Sequence, residues 1–231
     1  WWGLLSGVAQ AFGVWWFYAA LGSGPISVVS PLTAVLVAGI PVLAGLALGE
    51  RPSALAGIGV VLALVAVVLV SRESTEGGES KAREADSHDA GQHRFTARVA
   101  WLTIGSGVAF GMNFVLLHQV PVEAKLWPLV FGRLAATAIV LVAALITANL
   151  VFEGGVSLRL ALVAGVLDTV ANVATLVALQ SSLLSLAGVL IALYPAATVV
   201  LAIVVLRERV TRWQAIGMVL TLGSVAMIAA N

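Results

Sequence analysis

The chain contains no cysteine, which removes disulfide bridges, thiolate nucleophiles and cysteine-held metal ions. Charge is scarce as well. Only 10% of residues are Asp, Glu, Lys or Arg against 61% hydrophobic, and the mean hydropathy is +1.07. A water-soluble domain of 231 residues needs a polar surface that this composition cannot supply. The 12 basic and 11 acidic residues nearly cancel, so net charge gives no reason to expect nucleic acid as a partner. A phosphate-cradling GxxxxGKS/T loop, an HExxH pair and a nucleophile elbow are all missing. An ATP-driven pump or a hydrolase is therefore unsupported, and no enzyme activity, cofactor or metal is expected.

What is present is apolar sequence in long runs. Crossing about 30 Å of hydrocarbon takes about 20 residues of helix. Eight runs qualify, at 2–21, 25–48, 53–71, 98–118, 126–149, 158–180, 183–206 and 211–230. Each is expected to be a helix, because an unpaired strand would leave its backbone polar groups unsatisfied in lipid. Pro25, Pro52 and Pro128 lie near helix starts, where a missing N–H matters least. Pro31, Pro41 and Pro195 are interior and should bend their helices. Trp1 and Trp2 at one end of the first run, and Trp15, Trp16, Phe17 and Tyr18 at the other, have the spacing of two interfacial belts.

The chain also matches itself. Displaced by 158 positions, residues 1–71 fall on 159–229 without a gap, about 22 positions being identical where such a composition gives about 7 by chance. The clearest stretch sets LGERPSALAGIGVVL (48–62) on LRERVTRWQAIGMVL (206–220). Glu50 and Arg51 meet Glu208 and Arg209, Ile58-Gly59 meets Ile216-Gly217, and Ser27 meets Ser185. The runs at 98–118 and 126–149 have no counterpart. The expected plan is therefore two five-helix repeats, ten helices in all, with residue 1 falling inside the first repeat and two helices missing ahead of it. Five is odd, so the repeats should lie in opposite orientations. The domain reading is a first repeat at 1–71, a hydrophilic linker at 72–97 and a second repeat at 98–231. The stretch 71–96 is charged, Gly- and Ser-rich and reads as disordered. His88 and His93 within it lack companions at metal-site spacing and read as solvated loop residues.

The doubled LGER/LRER and IG elements, Tyr194-Pro195 and the GMNF of 111–114 resemble the drug/metabolite transporter superfamily, and most closely the EamA-type ten-helix carriers. The resemblance covers nearly all of the chain outside the linker. It implies an all-α, multi-pass protein of the inner cell membrane, with inverted five-helix repeats around a central cavity. It further implies export or movement of amino acids or other small metabolites. The first repeat departs from the second in having Val37 where Pro195 stands.

Ionisable residues inside the membrane are the sharpest site signals, since each disfavours insertion by about 3 kcal/mol at a helix centre. Asp168 lies about ten residues into its run. Asn172 and Thr175 share its face at i+4 and i+7. The stripe reads either as a substrate-amine or proton site or as a hydrogen-bonding contact between helices, with Arg133 a possible partner. Its repeat equivalent is Gln10. Arg133, about two turns into its run, could snorkel to the interface, recognise an anion or pair with Asp168. Asn113 is an amide inside its run, beside the small-residue pair Gly107 and Gly111. Gly3 and Gly7 form a similar pair, and close helix packing is the expected use of both. Tyr18 shares the Gln10 face. Tyr194 precedes a proline that should free the Ile191 carbonyl, and Ser27, Ser30 and Thr33 could offer hydroxyls from the facing helix. The cavity candidates are thus Asp168, Asn172, Thr175, Asn113, Gln10, Tyr18, Ser30, Tyr194 and Arg133.

Two functions fit. The first is a secondary carrier working by alternating access of two rocking repeats, with the bilayer and a small-molecule substrate as partners, as a monomer or homodimer. The alternative is a truncated, non-transporting membrane protein or assembly subunit. Loops at 71–98, 150–159 and 206–212 hold nine of the 12 basic residues, the rest being Arg51, Lys125 and Arg133. The positive-inside rule then sets the linker in the cytoplasm and the C-terminus outside. The family resemblance implies the reverse orientation.

Overall fold

A computed structural model describes residues 1–85, 96–146, 155–201 and 212–229. Among these residues the regular structure is entirely helical, as the long apolar runs require. The order is α1 (Trp2–Leu21), α2 (Ile26–Ala47), α3 (Ala54–Ala85), α4 (Ala97–His118), a 3-10 turn (Val122–Ala124), α5 (Trp127–Ile146), α6 (Val156–Ser181), α7 (Leu184–Ala192), α8 (Tyr194–Leu201) and α9 (Arg212–Ala229). Five of these, α1, α2, α4, α5 and α6, are long and apolar enough to cross a membrane, while the apolar stretches Ala54–Leu69 and Ala215–Ile228 are shorter.

Two elements differ from expectation, and a third, α2, carries its prolines, Pro31 and Pro41, within an unbroken helix. The run at 183–206 is not one helix: α7 stops at Ala192 and α8 begins at Tyr194. Pro195 has no N–H to give the Ile191 carbonyl. The chain passes the break with short turns, Leu193 N donating to Leu190 and Ala196 N to Leu193. Second, α3 runs on to Ala85, through the first half of the segment read as disordered. Extending an established helix is far easier than starting one, and Glu, Lys, Arg and Ala all extend it readily. His88 and His93 lie outside the described residues, as do Glu153, Arg207, Glu208 and Arg209.

Packing follows the rule for lipid-embedded helices, with small residues inside and large apolar ones outside. Gly3 and Gly7 of α1 lie against the backbone of Pro128 and Gly132 of α5, so α1 and α5 run parallel. Gly107 and Gly111 of α4 receive Leu36 and Ile40 of α2, with Thr33 Oγ1 and Ser106 Oγ 3.4 Å apart between them. Both glycine pairs thus serve close packing, as expected. All seven tryptophans are exposed within about two turns of an end of α1, α4, α5 or α9, where amphipathic rings favour the interface.

Repeat-equivalent helices pack on each other head to tail. Along α2, Val37 and Ala38 reach Ala192, Pro41 reaches Gly188 and Glu50 reaches Leu184. Gly59 of α3 lies against Ser224, Met227 and Ile228 of α9, and Leu62 against Gly223. Both pairs are antiparallel, the orientation that an odd-numbered repeat demands. A core of Ala56, Val60, Ala63 and Val67 with Leu186, Val189 and Ile228 joins the two halves.

Candidate functional site

Polar side chains meet on α5 and α6. Arg133 sits in the second turn of α5, and its Nη2 donates to Asp168 Oδ2 on α6 as an ion pair. Asn172, one turn further along α6, donates from Nδ2 to Asp168 Oδ1 at 3.1 Å and to the Asp168 carbonyl at 2.7 Å. Both carboxylate oxygens are therefore engaged, one by a cation and one by an amide. The geometry unites three of the residues singled out from sequence and realises the Arg133–Asp168 pairing. The side chains of Arg133 and Asp168 remain 40% and 52% exposed.

The exposure comes from the way α6 is held. Every residue from 155 to 171 is exposed, whereas its repeat equivalent α1 buries Gly3, Ser6, Gly7 and Ala11. Gly165 shows the same contrast: nothing lies within 4 Å of its Cβ position, while its equivalent Gly7 touches Gly132. Only the far half of α6 is seated, Leu176 and Leu179 packing with Leu117, Val120 and Leu184.

The other candidates are distributed around the bundle. Asn113 is buried on α4 at 7% exposure. Gln10, Ser30 and Thr175 are half-buried on α1, α2 and α6. Tyr18 is exposed near the end of α1, edge-on to Phe17, and Tyr194 is exposed at the α7–α8 break. An apolar cleft of about 170 Å³ lies elsewhere, among Trp1, Trp2, Trp127, Pro128 and Phe131, with no ionisable side chain in its lining.

Two polar residues of consequence escaped the sequence reading. His118 Nδ1 lies 2.6 Å from the Leu179 carbonyl oxygen, one of the last carbonyls of α6, which its own helix leaves unpartnered. Glu50 accepts from the first N–H groups of α7. The signal for Glu50 was available, in the superposition of the LGER and LRER motifs. Among the described residues no cluster of His, Cys, Asp or Glu could hold a metal ion.

Residues 97–230 match the model of the EamA-like transporter family. The chain belongs to that family. It is thus a multi-pass membrane transporter of small molecules, and the bilayer and a small-molecule substrate are its partners. Among solved structures, one titled only "Crystal structure of protein" is similar over 100% of this chain and 76% of its own, with a TM-score of 0.72 and 21% identity. That likeness concerns the fold. No curated protein matches.

Proposed function

We propose that this EamA-type protein is a secondary carrier of the inner cell membrane. It moves or exports amino acids or similar small metabolites bearing both charges, by alternating access. The reading rests on the Arg133–Asp168–Asn172 cluster. A zwitterion brings a carboxylate that matches the guanidinium fork and an ammonium that matches the aspartate, so it can replace the internal pair charge for charge. Without substrate the two side chains neutralise each other, which limits the penalty of holding them within a membrane span. The antiparallel packing of α2 on α7 and α3 on α9 supplies two halves able to rock about their shared core.

The test is flux of a panel of amino acids and drugs in proteoliposomes, comparing the parent protein with Asp168→Asn. Flux should be abolished or uncoupled while membrane insertion is unchanged. Normal flux with unaltered pH dependence would remove Asp168 from the site.

A further inference from the structure

On the membrane face where α2 ends and α7 begins, the halves are joined through a charged side chain. Glu50 follows Gly49, whose φ of +92° turns the chain back toward α7. Its carboxylate accepts from Leu184 N at 2.5 Å through Oε1 and from Ser185 N at 2.9 Å through Oε2. These N–H groups stand at the start of a nine-residue helix, where they have no intrahelical acceptor and the helix dipole favours an anion.

Two further features show that the place is shaped around this carboxylate. A Cβ on Gly45 would collide with Glu50 Oε2, so a side chain there would force the carboxylate to shift. Ser185 is fully buried beside it, with an Oγ that has no hydrogen-bond partner among the described residues. Along the rest of the α2–α7 seam the contacts noted above are apolar, Pro41 on Gly188 and Val37 and Ala38 on Ala192. Apolar helix surfaces can part without leaving a polar group unpartnered. A carboxylate leaving two N–H donors must instead find water in one step, which makes the contact two-state.

We infer that Glu50 is a latch between the two repeats. Bound to the α7 N-terminus it holds this face shut, and its release lets α2 and α7 part. It acts as a positioning residue for the transport cycle, and the inference rests on the carrier reading above.

The absence of cysteine makes the test direct. A single reporter, S185C, is placed in the full chain in lipid nanodiscs and labelled with a polar maleimide. In the parent background labelling should be slow. Glu50→Gln, which weakens the acceptor, and Gly45→Ala, which keeps the charge but evicts the carboxylate, should each accelerate it about tenfold, the loss of one charge-assisted bond. K125C, on the same face, should label equally in all backgrounds. S23C, at the opposite face, should slow as S185C quickens, because alternating access closes one side when it opens the other. Unchanged S185C labelling in Gly45→Ala, or a rise without any response at S23C, would overturn the latch. If Glu50→Gln does not fold, Gly45→Ala decides alone. If the latch responds as expected while Asp168→Asn transports normally, the latch stands and the proposed substrate site fails.

Discussion

Gly7 of α1 and Gly132 of α5 touch backbone to backbone. A Cβ on Gly7 would fall on the Gly132 carbonyl, and one on Gly132 would stand 2.9 Å from the Gly3 carbonyl oxygen. This approach seats α5, and therefore Arg133, the next residue along.

The first prediction concerns that crossing. Gly7→Ala or Gly132→Ala should destabilise the protein by about 1–3 kcal/mol, because neither backbone can yield without moving its helix. Gly57→Ala, whose Cβ would meet nothing within 4 Å, should be neutral or stabilising by up to about 1 kcal/mol. Thermal unfolding in one detergent, with all three variants side by side, compares them. Equal melting temperatures would refute the close approach.

Arg133 allows a test of substrate chemistry separate from that of Asp168. Arg133→Gln should disfavour an amino acid relative to its decarboxylated amine by about tenfold, as one lost carboxylate contact of about 1.4 kcal/mol implies. Arg133→Lys should keep part of the preference, having the charge without the planar fork. Competition between the two substrates in proteoliposomes measures the ratio. A ratio that stays constant across the three proteins assigns Arg133 to structure only.

His118→Leu should cost about 1 kcal/mol by leaving the Leu179 carbonyl without its donor. The loss should appear as faster amide exchange in the last turns of α6, while the α1–α5 crossing keeps its protection. Uniform exchange changes across the bundle would contradict a local role.

Orientation divides the charge rule from the family resemblance. We expect the C-terminus in the cytoplasm, the orientation that the family resemblance implies and the charge rule opposes. A fluorescent reporter fused after Asn231 should be bright, and a periplasmic phosphatase reporter at the same place inactive. The opposite pattern would reverse the assignment of every loop.

Much of this was legible in the residues. The described parts of the apolar runs are helical, because lipid offers the backbone no other partner. The repeat foretold antiparallel equivalents, and Pro195 marked the weak point in its helix, though as a bend where the structure has a break. The Arg133–Asp168 pairing was readable because an ionised group inside a membrane span must find a partner. The polar stretch after Ser71 misled, because charged composition says nothing of a helix already begun upstream.

The sequence alone determined that this chain lives in lipid and that it is helical, since composition and periodicity are properties of the chain itself. Tertiary structure decided which helix ends meet. Glu50 finds the start of α7 across 134 residues of chain, and His118 finds the end of α6 across 61. Helix ends need partners wherever they are, but distance in space, which no spacing along the chain encodes, selects the partner.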